Sequence, residues 1–303
     1  MIPFSDITIV WVDTGKPTRR GEKVCEFCVK HGEGEKWYLN AANYSEDLLS
    51  DIRRRRFIEE FLSDTDGLAR ANKYLEILGK APRLVKDIVG SIVTRKMKKN
   101  HFGQVVPIED IEKVFGLVNS IVRISCLCRH VTLGKDQRYC YAVSLGPGGG
   151  RLAEIMRGID DSFINGPDAA GNELLTKDDA ISALREHEQE GLCHSIWTFK
   201  TPFIAAICNC GRTECLAMHT VAHGVPLMFR AEYVAEVSSD TCMGCRACLS
   251  VCQFGAISYN AVTRSAAIDQ RSCYGCGVCR SVCNARAINL KERDTIPAAA
   301  NLW

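Results

Sequence analysis

The sequence predicts an α+β fold: a helical N-terminal half, a small mixed α/β middle region and a C-terminal βαββαβ-type unit with pseudo-twofold symmetry. Three observations carry this reading. Apolar residues recur at helical spacing through the first 120 positions. Short apolar runs rich in β-branched residues stand just ahead of paired cysteines further on. The last stretch is an internal repeat, CMGCRACLSVCQFGAIS echoed by CYGCGVCRSVCNARAIN at an offset of 31 residues. The expected division is residues 1–105, a helical region with a C-x-x-C pair; 106–236, a cysteine-bearing α+β domain; and 237–303, the repeat.

The elements follow in order. Ile7–Val12 (ITIVWV) reads as a strand. Leu48, Leu49, Ile52, Ile58, Phe61 and Leu62 mark a helix from Ser45, its N-cap, to about Ser63. A second helix runs from Pro82 to about Lys99, with lysines in its last turn. A third starts near Ile108 and carries Ile111, Val114, Phe115 and Val118. Ser120–Cys128 (SIVRISCLC) reads as a strand delivering Cys126 and Cys128. GPGGG (Gly146–Gly150) is a loop. It lacks the Lys-Ser/Thr of a phosphate-binding loop and opens no clear helix. A helix over Lys177–Glu190 stops at Gly191, and strands Ser195–Phe199 and Phe203–Ile207 lead into Cys208-Asn209-Cys210.

The chain of 303 residues is 46% hydrophobic, enough for a sizeable core, and its net charge of +2 points to neither nucleic acid nor a membrane surface. Cysteine is the outlier, with 17 residues arranged as C-x-C and C-x-x-C pairs. A disulfide framework belongs mainly to short secreted chains. The N-terminus shows no basic segment followed by an apolar one, and no run approaches the ~18 apolar residues of a membrane span. The expectation is a soluble, cytoplasmic protein whose thiols are kept for metal.

Each tail repeat is C-x2-C-x2-C-x3-C. Three sulfurs on a tight loop converge on one cubane, and the fourth, at the start of a short helix, points to the other. This assigns Cys242, Cys245, Cys248 and Cys283 to one [4Fe–4S] cluster, and Cys273, Cys276, Cys279 and Cys252 to a second. Gly244, Ala247, Gly275 and Gly277 are small enough to let backbone N–H groups approach the sulfides. From about Ser238 to Leu290 the tail resembles bacterial dicluster ferredoxins, which implies a ferredoxin-like fold. It departs where the family carries proline after the fourth cysteine: Gln253 and Asn284 stand there.

Upstream, side chains i and i+2 of an extended strand share a face, so Cys126/Cys128 and Cys208/Cys210 could each clasp one edge of a cluster. If their strands are neighbours, four thiolates converge. Cys140 and Cys215 are then alternates, or ligands of a further centre with Cys25 and Cys28. An additional [4Fe–4S] cluster from these six is the expectation; structural zinc and reduced core cysteines are the alternatives. Arg129 would offset thiolate charge. Cys25-x-x-Cys28, with His31 three residues on, suits zinc, a cluster or a redox dithiol. Cys193 is expected to be an unliganded thiol.

From about Pro107 to Leu290 the chain is similar to a group of anaerobe ferredoxin-like iron–sulfur proteins. The matching positions are Cys126, Cys128, Arg129, Cys140, Gly191, Leu192, His194, Cys208, Asn209, Cys210 and Cys215. That resemblance implies electron transfer in anaerobic metabolism. His194, His219 and His223 read as structural rather than ligating, and Arg53–Arg56 and Arg95–Lys99 as solvated helix faces, the alternatives being a docking patch for an acidic redox partner or for DNA. The functional expectation is an iron–sulfur electron-transfer protein, partner or subunit of an oxidoreductase complex and without a catalytic site of its own. The alternatives are an oxidoreductase binding substrate at an open-site upstream cluster, and an iron–sulfur redox-sensing regulator.

Overall fold

The computed structural model describes residues 25–135, 137–159 and 172–302; the strand expected at Ile7–Val12 lies outside them. Helix (46%) and strand (18%) are both substantial, as an α+β chain requires. Among the described residues no helix is long and apolar enough to cross a membrane.

Helix α1 (Glu26–His31) starts at Cys25, its N-cap. The single helix expected from Ser45 is broken. Ser45 Oγ accepts from Asp47 N and heads only a 3-10 turn, Glu46–Ser50. Asp51 then accepts from Arg53 N and restarts the chain as α2 (Ile52–Ser63). Side chains that bond the nearby backbone compete with a continuing helix in this way. A further helix, α3 (Thr65–Gly79), has no counterpart among the expected elements; Asp64 caps it through Gly67 N. Next, α4 (Arg83–Asn100) begins behind Pro82. Within α2, Arg54 is not on a solvated face. It is buried, and its guanidinium donates to the carbonyls of Phe199 (3.2 Å) and Lys200 (3.1 Å).

A seven-stranded sheet forms the centre: β1 (Gly103–Val105), β2 (Ser120–Ile124), β3 (Cys140–Ser144), β4 (Glu173–Leu175), β5 (Cys193–Thr198), β6 (Ile204–Cys210) and β7 (Met228–Phe229). The order is β4-β2-β3-β6-β5-β1-β7, antiparallel except for the β1–β7 pair. Its strands alternate between two buried faces. Ile121, Tyr141, Val143, Ile196 and Ile207 share one core with Trp37 and Phe102, and with Ile111 of α5 (Ile108–Leu117) and Leu184 of α8 (Lys177–Gln189). Val122, Ala142, Trp197 and Ala206 face the other core. Covering them there are α2, α6 (Leu127–Leu133), α7 (Gly150–Arg157) and α9 (Leu216–Ala222).

Two expectations about the cysteine-bearing segments need correction. The strand at Ser120 ends at Ile124, and Cys126 is the N-cap of α6, so Cys126 and Cys128 are presented by a helix start rather than a strand. After GPGGG the chain does enter a helix, α7, directly behind the turn Pro147–Gly149.

The tail runs β8 (Tyr233–Val237), α10 (Ala247–Ser250), the hairpin β9 (Ile257–Asn260) and β10 (Ser265–Ile268), a 3-10 turn at Val278–Arg280, and β11 (Ile288–Glu292), which returns to pair with β8. The repeat is visible in its backbone. Left-handed residues recur at the same offset: Gly244 and Gly275, Arg246 and Gly277, Gly255 and Arg286. A Cβ on Gly244 would meet Arg264 O at 2.3 Å, and one on Gly275 would meet Tyr233 O at 2.0 Å. Both positions need glycine for conformation and for space. The fourth cysteine of each repeat follows the short helical turn instead of starting it; in the first repeat Cys248 lies in α10 and Cys252 comes after it.

Candidate metal centres

Two cavities in the tail gather its eight cysteines. One is lined by Cys242, Cys245, Cys248 and Cys283. The other is lined by Cys252, Cys273, Cys276 and Cys279. Each therefore takes three sulfurs from one repeat and the fourth from the other, the exchange expected from spacing.

The chemistry around these sulfurs fits thiolates bound to iron. Backbone N–H groups donate to them symmetrically: Ala256 N to Cys252 Sγ and Ala287 N to Cys283 Sγ, both at 3.3 Å. Ala266 N donates to Cys242 Sγ (3.5 Å), and Ala235 N and Gly275 N donate to Cys273 Sγ (3.4 Å each). Sulfur that accepts amide bonds is being treated as an anion. Burial opposes that charge, pushing the Cys276 thiol up to about 12 and raising Cys279 as well. Neutral thiols would leave the amide donors poorly matched, whereas a bound metal supplies the missing positive charge.

The six upstream cysteines form a ring on one face of the central sheet. Cys140 and Cys208 are register partners on β3 and β6, with sulfurs 3.5 Å apart. Cys208 and Cys210 lie two apart on β6 and so share that face. Cys126 and Cys128 come over it from the start of α6, and Cys215 from the N-cap of α9. The Cys126 thiol meets those of Cys128 and Cys140, and the Cys215 thiol meets those of Cys128 and Cys210. Cys140 and Cys215 are thus members of the same set and have no part with Cys25 and Cys28, which sit in the opposite core. The strands β2 and β6 are not neighbours; β3 lies between them, which is why Cys140 occupies the middle of the ring. Hydrogen bonds from Cys128 and Cys140, helped by Arg129, hold the Cys126 thiol well below its ordinary range. Arg129 itself is buried with its guanidinium 3.7 Å from the centre of the Tyr139 ring.

Between the ring and the tail stands Cys193. It is fully buried on β5 and pairs in register with Cys210. Burial pushes its thiol up, and it shares one core with Cys210 and Cys215 of the ring and with Cys276 of the tail. The tail therefore docks through the half that contains Cys252, Cys273, Cys276 and Cys279. Gln253, standing where the resemblance leads one to expect proline, makes that dock. Its Nε2 donates to Gly191 O (2.7 Å), and its Oε1 accepts from Arg212 N (2.8 Å). Arg212 Nε donates back to Gln253 O (2.7 Å). Arg280 adds a two-pronged pair with Glu109 on α5, at 2.7 and 2.8 Å. The other thiol set faces outward: Cys245 is exposed, and Met243 beside it is 70% exposed.

Cys25 and Cys28 lie together at the start of α1, sulfurs 3.3 Å apart, and the carboxylate of Glu232 joins them. Glu232 carries no motif and is 204 residues from Cys28, so no signal in the sequence singles it out. His31 ends α1 outside this trio. His194 is buried against Asn209 (Nδ1 to Oδ1, 2.6 Å), His219 contacts Asn72 (3.0 Å), and His223 closes α9.

Residues 241–287 match the family model of the 4Fe-4S dicluster domain. Among curated proteins, none matches this sequence. The tail is thus an iron–sulfur domain of the dicluster type, and its cofactors are 4Fe–4S clusters.

Proposed function

We propose that the protein is the electron-carrying subunit or partner of an anaerobic oxidoreductase, with three thiol-held iron–sulfur centres in series. The observation that carries this reading is the shared core in which Cys193 packs with Cys210 and Cys215 of the ring and with Cys276, Phe254 and Tyr274 of the tail. Bound clusters supply one-electron chemistry; the chain supplies position. Cys242, Cys245, Cys248 and Cys283 hold the outer [4Fe–4S] centre, within reach of a redox partner. Cys252, Cys273, Cys276 and Cys279 hold the docked one. The ring of Cys126, Cys128, Cys140, Cys208, Cys210 and Cys215 holds a third. Six thiols around one position leave no corner of a cubane short of a ligand, which favours a relay over an open substrate-binding cluster.

In this reading residues 237–303 form the dicluster unit, 106–236 the body that holds the third centre, and 1–105 a region that meets the partner. Tyr74 and Ile77 on α3, and Leu84, Ile88 and Ile92 on α4, are each more than half exposed. Such an apolar face suits a partner subunit.

The test is EPR of the fully reduced chain. Three mutually broadened spins per molecule are expected. Gln253→Ala removes the two bonds that its own side chain gives the dock, a loss of about 1–3 kcal/mol, and is expected to weaken the broadening with iron content unchanged. A wild-type spectrum accounted for by two coupled spins contradicts the series.

A further inference from the structure

We propose that Cys25, Cys28 and Glu232 form a mononuclear metal site of the zinc class, distinct from the iron–sulfur centres and independent of the relay reading. Among the described residues, theirs is the one group of three or more His, Cys, Asp or Glu donor atoms that all lie within 4.8 Å of one another. Neither tail set nor the six-thiol ring meets that limit, so this site is tighter than those with cubane ligand patterns. Its spacing suits a single ion. A tetrahedral centre with metal–sulfur bonds of about 2.3 Å and a metal–oxygen bond of about 2.0–2.2 Å sets its sulfurs about 3.8 Å apart, and sulfur about 3.5 Å from oxygen. Here the sulfurs are 3.3 Å apart, and Cys28 Sγ is 3.6 Å from Glu232 Oε1.

The surroundings are built to hold the carboxylate in place. Gln104 Nε2 donates to Glu232 Oε1 (3.1 Å), and Trp37 Nε1 fixes Gln104 through its Oε1 (2.5 Å). Arg293 binds the other oxygen, Oε2 (3.2 Å). Gln104 and Arg293 are 1% and 2% exposed. Outer partners of this kind orient metal ligands. The charges also close. Two thiolates and a carboxylate meet a divalent ion and the buried Arg293 guanidinium, which leaves the site neutral and removes the penalty for burying unpaired charge. A redox dithiol fits less well. Cys25 is 4% exposed and Cys28 1%, so neither sulfur is open to attack by another chain. A bound ion would tie α1 to the residue just ahead of β8, the strand that opens the tail.

The experiment is zinc and iron analysis of the full chain, purified without oxygen, together with zinc K-edge absorption, which is blind to the iron. One zinc per chain is expected, with two sulfurs at about 2.3 Å and oxygen at about 2.0 Å. Glu232→Gln keeps both thiols and the fold, checked by circular dichroism. In competition with a chelator its zinc affinity is expected to fall about tenfold or more, with iron unchanged; Cys25→Ser/Cys28→Ser is expected to lose the zinc. The proposal is overturned if the wild type binds no zinc when it is supplied, if Glu232→Gln binds zinc as tightly as the wild type, or if the double cysteine variant loses about four irons.

Discussion

Replacing Cys126, Cys128, Cys208 and Cys210 together by serine is expected to lower iron and acid-labile sulfide by about four each per chain, leaving about eight of each. Two thiols, Cys140 and Cys215, then remain in the ring, too few to hold a cubane that takes four ligands. The tail cannot compensate, because its eight cysteines are already divided between two cavities. Their amide donors come from Ala235 on β8 and from Ala256, Ala266, Gly275 and Ala287, none of them part of the ring. The signals of the tail clusters are therefore expected to persist while the broadening from the third spin disappears. The four serines stay close in size to cysteine. Loss of all twelve irons would show instead that the ring and the tail do not load independently.

Trp37→Ala is expected to destabilise the protein by about 4–6 kcal/mol, read as the shift in urea-unfolding free energy. The indole is fully buried. Its ring centroid lies 5.3 Å from Phe102 and 6.1 Å from both Phe27 and Tyr38. Truncating such a residue costs about 3–5 kcal/mol in transfer and cavity terms. The indole N–H is also the donor to Gln104 Oε1. Losing it strands a buried carbonyl, for about 1–3 kcal/mol more, partly offset as the site relaxes. Set against a total stability of about 5–15 kcal/mol, the variant is close to unfolding. Trp37→Phe refills most of the cavity and isolates the hydrogen-bond part, so its cost is expected to be about 1–3 kcal/mol. Equal, small effects for both variants would mean that this aromatic core is not where the N-terminal region is anchored.

What could be read from the sequence was what is local. The tail ligands fall within eleven positions in each repeat, so spacing alone groups them, and the equal offset of the two copies gives the pseudo-twofold plan. Helices with firm ends were equally legible: Pro82 before α4, and Gly191, at φ +84°, just beyond α8. Where side chains compete with the backbone, periodicity misled. Ser45 and Asp51 split one expected helix into a 3-10 turn and α2. Helix α3 buries none of its residues fully, so its pattern carried little signal. The ring was only half legible. C-x-C pairing is local, but the central place of Cys140 depends on β3 lying between β2 and β6, a pairing no short window contains. Gln253 was visible as a departure from proline. Its reason needed Gly191 and Arg212, 62 and 41 residues away.

The most direct test of the central claim is the iron and acid-labile sulfide content of the wild-type chain, prepared and assayed under strict exclusion of oxygen. Three thiol-held centres predict about twelve of each per molecule. A value of eight, unchanged after reconstitution with iron and sulfide, would confine iron to the tail and leave the six-thiol ring without the role given to it.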